Sequence, residues 1–140
     1  MSEYKAVVAL TITGFECLHA EITNKLQVEP SKVWFRGDPV VASRPVARKH
    51  QENGWRYTVE ITADEDNTAL WLGKAVRQLM NVISAKLSCF SQLPAESLIE
   101  ISCYVRIGEE TMPAIHFDKE TIRLMAVIGA SIDVDLMLDV

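Results

Sequence analysis

Residues 4–13, YKAVVALTIT, place Ala6, Val8, Leu10 and Ile12 at every second position. Alternation of this kind, rich in β-branched residues, predicts a strand with one buried face. Leu18, Ile22 and Leu26 then recur at helical spacing, which predicts a helix over 16–26 that Pro30 keeps short. Lys32 to Arg36 reads as a brief extended run stopped by Gly37. The clearest strand is 55–62, WRYTVEIT, with Trp55, Tyr57, Val59 and Ile61 inward and Arg56, Thr58, Glu60 and Thr62 outward.

Asp66 or Asn67 opens a long helical region, where Leu72, Val76, Leu79, Ile83, Leu87 and Phe90 repeat at three to four residues. It reads as one helix or as two with a bend near Asn81, closed by Pro94. Residues 97–106, SLIEISCYVR, alternate again through Ile99, Ile101, Cys103 and Val105. A short strand at 114–117 follows. Asp118 then caps a helix with Ile122, Met125, Ala126 and Ile128 as its apolar positions, and Gly129 ends it. The last strand, 131–139, sets Ile132, Val134, Leu136 and Leu138 on one face and Asp133, Asp135 and Asp139 on the other.

The predicted order is therefore β-α-β-β-α-β-β-α-β. Every clear strand has one apolar and one polar face, whereas a parallel sheet covered on both sides reads as continuous apolar runs. The expectation is a single α+β domain over residues 1–140. It is a two-layer sandwich of a mixed, mostly antiparallel sheet with helices on one face. The first six elements follow the order of a ferredoxin-like unit.

A length of 140 residues suits one core, and 49% hydrophobic with 24% charged residues is ordinary for a globular chain. No apolar run reaches the ~20 residues of a membrane span. MSEYKAVVAL carries no basic leader, which predicts a cytoplasmic protein. Cys17, Cys89 and Cys103 are odd in number and far apart, so neither a disulfide framework nor a cysteine metal site is expected. The net charge of −5 is uneven. Residues 32–51 hold Lys32, Arg36, Arg44, Arg48 and Lys49 against Asp38, a balance of +4, which leaves −9 on the rest. Such a body repels phosphate and suits a basic protein partner, so nucleic acid is disfavoured.

Three segments carry a family likeness: AEITNKLQVEPSKVWFRGDPV, then NGW, then the closing IRLMAVIGASIDVDL. With these the chain resembles an uncharacterised bacterial family of single-domain proteins marked by a Gly-Asp-Pro step (DUF 4279). The resemblance covers most of the chain. It implies a fold and a bacterial origin, and it brings no activity with it. In size and acidity the chain also resembles the small immunity proteins that neutralise bacterial toxins.

Candidate chemistry is sparse. In Gly37-Asp38-Pro39 each residue has a backbone reason to be present: positive φ, an Asx-type carboxylate and an extended constraint on Asp38. The turn introduces a long basic loop, and a loop of that length is usually functional or mobile. Trp34, Arg36, Asp38, Arg44, Arg48, Lys49 and Trp55 form the candidate binding loop, suited to an anion or a partner. Asp133, Asp135 and Asp139 form a candidate acidic face that Glu60 and Glu100 can join across the sheet. Paired carboxylates can hold Mg²⁺, which gives a metal-dependent enzyme as one alternative. No catalytic histidine, serine or cysteine constellation accompanies them, so no cofactor and no enzyme are expected. Trp71, between Leu70 and Leu72, adds a homodimer surface as a further expectation. The function expected is a non-catalytic protein-binding module, of the kind that inhibits a basic toxin domain. A small-ligand or anion-binding module using residues 36–50 stands beside it.

Overall fold

The computed structural model describes residues 4–41, 48–63, 71–107 and 115–138. Strand β1 (Tyr4–Thr13) leads to α1 (His19–Leu26), β2 (Lys32–Trp34) and β3 (Gly54–Ala63). Helix α2 (Trp71–Ile83) runs on as a 3₁₀ stretch, Ser84–Gln92, into β4 (Leu98–Ile107). Helix α3 (Lys119–Ile128) and β5 (Ala130–Leu138) complete the described elements. The five strands form one sheet in the order β2-β3-β1-β4-β5. Pairs β2/β3, β3/β1 and β1/β4 are antiparallel, while β4/β5 is parallel. The first four strands thus have the ferredoxin-like order, and α3 adds a fifth through a parallel crossover.

The predicted α+β sandwich is the observed one. Ala6, Val8, Leu10 and Ile12 of β1 are fully buried, beside Trp55 of β3 and Ile101, Cys103 and Val105 of β4. They share one core with Ile22 and Leu26 of α1, Leu72, Val76, Leu79, Met80 and Ile83 of α2, and Leu124, Met125 and Ile128 of α3. Each buried Val, Leu, Ile or Met among them contributes about 1.5–3 kcal/mol by leaving water. The helices all serve this face, so the opposite face of the sheet is left uncovered by them.

Several local expectations are corrected. Helix α1 starts at His19, because Leu18 is extended at φ −68 and ψ 144, and it ends at Gln27 in a left-handed conformation. The second strand stops at Trp34, since Phe35 already belongs to the turn. The long helical region changes character at Ser84. The Ser84 and Ser91 hydroxyls donate to the carbonyls of Asn81 and Ser88, three residues back, and such bonds favour the tighter 3₁₀ winding. In α3 the inward stripe is Thr121, Leu124, Met125 and Ile128, so Ile122 and Ala126 face out. The Asp118 carboxylate accepts from the Thr121 N–H at 2.7 Å and fixes the phase of that first turn. This bond holds the Asp118 carboxyl below its usual range. Gly129 closes the helix at φ 72, as its position implied. The side chain of Trp71 lies outside the described residues.

The short strand expected at 114–117 does not form over Ile115–Phe117, and Ala114 is outside the described residues. These residues lie instead against α2, where a Cβ on Gly73 would overlap the His116 carbonyl oxygen. Backbone pressed on a helix is not available to a sheet edge. Gly73→Ala therefore sets two effects against each other. Helix propensity favours alanine by about 1 kcal/mol, whereas overpacking against rigid backbone costs about 1–3 kcal/mol. Urea denaturation is expected to show a net loss of stability.

Candidate functional site

The Gly-Asp-Pro step folds as a β-turn over Phe35–Asp38. Asp38 N–H donates to the Phe35 carbonyl at 3.0 Å, and the Asp38 carboxylate accepts from Phe35 N–H at 2.8 Å. Gly37 takes φ 91, which a side-chain-bearing residue adopts at a cost. The long loop is partly a two-stranded ribbon. His50 N–H donates to Asp38 O and Val40 N–H to Arg48 O, both at 2.8 Å, with Pro39 bridged to Lys49. Arg44 lies outside the described residues.

Asn53 ties the ribbon to the body. Its amide donates to Phe15 O at 3.0 Å, its side-chain oxygen accepts from Arg36 N–H at 2.9 Å, and its carbonyl accepts from Gly14 N–H at 3.2 Å. The next residue, Gly54, lies under the Trp34 ring, where any Cβ would collide with the indole. Trp55 then points to the other face. It is fully buried, and its Nε1 donates to the Thr23 hydroxyl at 3.0 Å. Strand alternation thus separates the two tryptophans: Trp34 pairs with Gly54 on the outer face, and Trp55 with Val33 on the inner. Trp55, named with the binding loop on sequence, is a core residue and cannot touch a ligand there.

Trp34 is only 6% exposed. The His50 ring stacks on it at 4.8 Å, the Arg56 guanidinium lies 4.9 Å from its centroid, and the Lys32 ammonium 5.9 Å. The His50 Nε2 is buried with no hydrogen-bond partner among the described residues. Burial, then Lys32, lowers the His50 pKa below the usual 6.5, with Arg56 adding to this and Asp38 opposing. Arg36 is engaged by Glu16 at 2.6 Å, an exposed pair of small energetic value. Arg48 and Lys49 are exposed neighbours in the ribbon. The described cations of the loop therefore do not converge on one anion-sized point. Arg36 is held by Glu16, and the charges over Trp34 are Lys32 and Arg56 of the strands.

The outer face itself carries three cross-strand rows. Lys32, Arg56, Thr11, Glu100 and Ser131 form the first. Thr58, Ala9, Ser102 and Asp133 form the second, and Glu60, Val7, Tyr104 and Asp135 the third. Small residues floor this surface, and Ala9 and Thr11 are buried beneath longer neighbours. Arg56 crosses to the Thr11 hydroxyl at 3.1 Å. Burial draws its pKa down, and Glu100 draws it back up. A shallow groove of about 330 Å³ runs from Arg56 and Thr58 past Glu100 to Asp133 and Asp135. A second groove of about 330 Å³ continues along Thr11, Thr13, Leu98 and Ser131, and the two meet at Glu100. Lys32 and Arg56 thus place positive charge toward β2, and Glu100, Asp133 and Asp135 negative charge toward β5, with Glu60 on β3 and Arg106 on β4 set against that trend.

Asp133 and Asp135 lie on this face as alternation requires, and Glu100 joins them. Asp139 is outside the described residues. Among the described residues no three His, Cys, Asp or Glu side chains converge to hold a metal ion. The Cys103 thiol, turned into the core, is pushed up to about 12 by burial, with Asp133 adding to it, and is no nucleophile. Sequence reading turned Arg56 outward but did not name it, Asn53 or Tyr104 among the candidate site residues. The signal for Arg56 was present, since its parity in WRYTVEIT is opposite to that of Trp55.

The fold and its surface define an α+β sandwich with one open sheet face. The chain belongs to the family described as domain of unknown function DUF4279, whose model matches residues 2–139. No curated protein and no solved structure matches it. No helix among the described residues is long and apolar enough to cross a membrane.

Two measurements test this corner. Asn53→Ala leaves the Phe15 carbonyl and the Arg36 amide without their partner, and equilibrium unfolding is expected to show a loss of roughly 2 kcal/mol. For His50, a lowered folded pKa means that the unfolded chain takes the proton more readily. Its contribution is full above 6.5 and is lost as pH falls through the folded value. Stability measured from about pH 7.5 to 5.5 should fall less in His50→Phe, which stacks but does not titrate, than in the parent protein.

Proposed function

We propose that this chain is a non-catalytic binding module whose open sheet face docks a basic protein surface, in the manner of an immunity protein covering a bacterial toxin domain. One observation carries this reading. The helices cover a single face of the sheet, and the other presents Glu100, Asp133 and Asp135 around a floor of small residues. None of the three has a cation within salt-bridge distance among the described residues. Carboxylates not locked into ion pairs attract a cationic surface from a distance and fix its orientation on contact. The small floor lets partner side chains enter, and the bland chemistry of the face suits recognition over turnover. The cationic side, built on Lys32 and Arg56, gives the docking a polarity.

Co-purification from the native cell at low ionic strength tests this. The parent protein should retain a partner with a basic surface and release it as salt is raised. Asp135→Lys, on the outer face and away from the core, should weaken retention by about tenfold or more without changing the unfolding curve. Equal retention by parent and variant would sink the proposal.

A further inference from the structure

The two edges of the sheet are unlike. Strand β2 is three residues long, carries Lys32 and runs straight into the anchored turn. Short, charged edges resist pairing with another chain. Strand β5 is nine residues long and pairs only with β4 among the described residues. Its register with β4 runs unbroken from Ile99↔Ala130 to Ile107↔Leu138, so no bulge twists the edge away. Its sequence, ASIDVDLML, holds no proline and no cation. Of the usual protections of an edge strand, only the charges of Asp133 and Asp135 are present among the described residues.

The side chains of β5 specify what would cover it. On the helix side Ile132 and Leu136 remain 38% and 43% exposed, an apolar row half covered by the domain itself. On the open side Asp133 and Asp135 carry charges with no hydrogen-bonded or ion-paired partner among the described residues. A strand laid along this edge would put one set of its side chains beside the apolar pair and the alternate set beside the carboxylates.

We propose that the outer edge of β5 accepts an added strand from a partner protein, in a segment whose residues alternate between apolar and basic. This rests on the reading of the open face as a protein-docking surface and supplies the mode and chemistry of the contact. Backbone hydrogen bonds along the free edge hold the segment, and the alternating side chains select it. A second copy of this chain is the wrong occupant. Antiparallel self-pairing over the full strand centres on Val134 and sets Asp133 opposite Asp135 twice, and like charges directly opposite destabilise a sheet.

The test uses capped nine-residue peptides of alternating lysine and valine, with glutamate replacing lysine in a control. A third peptide has the lysine/valine sequence with alternate backbone nitrogens methylated. Binding to the full chain is followed by NMR, with amide exchange as the readout of edge pairing. The lysine peptide should bind and slow exchange at those β5 amides that do not bond to β4. The glutamate and methylated peptides should bind at least about tenfold more weakly. Asp133→Lys with Asp135→Lys should reverse the preference between the charged peptides. Equal binding of the lysine and glutamate peptides, or no binding of either, would overturn the proposal. So would a homodimer in sedimentation that protects β5. Undiminished binding of the methylated peptide would overturn strand addition while leaving docking on the open face intact.

Discussion

Burial of the inner face of β1 against α2 is the contact on which the other features of the molecule hang. Ala6, Val8, Leu10 and Ile12 leave water completely, and the strands on either side extend the same apolar plane. Because α1, α2 and α3 pack on that plane, no helix among the described residues covers the reverse side. Alternation then delivers every second residue of each strand to an uncovered surface. That surface is where the chain differs from a generic sandwich, since its side chains are small at the centre, with Lys32 and Arg56 toward β2 and Glu100, Asp133 and Asp135 toward β5.

The family motifs read as one mechanical unit. Val33-Trp34, Gly37-Asp38-Pro39 and Asn53-Gly54-Trp55 are distant in sequence and meet at the β2/β3 end of the sheet. Trp34 needs the bare backbone of Gly54 beneath it, Asn53 needs the amide of Arg36, and Asp38 needs that of Phe35. Removing any of these loosens the others. Of the loop's cations Arg36 is held by Glu16, and the charge over Trp34 comes from Arg56 of β3. This moves the functional interest from the loop to the open face.

The contrast between the two sheet edges bears on the same point. One is short, anchored and cationic; the other is long, regular and acidic. A domain that must avoid pairing has reason to protect both. Leaving β5 open, beside carboxylates that form no ion pair among the described residues, is coherent with a surface made to receive a partner.

Much of this was legible in the chain. Period-two patterns placed β1, β3, β4 and β5 and assigned the faces of Arg56, Glu100, Asp133 and Asp135, because alternation is a local property of extended backbone. Asp118 and Gly129 marked the limits of α3 for equally local reasons. Residues 115–117 failed as a strand because Gly73 of α2 claims their backbone, a contact made across more than forty residues. The separation of Trp34 from Trp55, the clamp at Asn53 and the sheet order also depended on which strands became neighbours. Local pattern accounts for the elements, their buried faces and the acidity of the body. Which charges share a surface and which edge stays open follow from the choice of pairing partners, and that choice is made by long-range packing that no local pattern encodes.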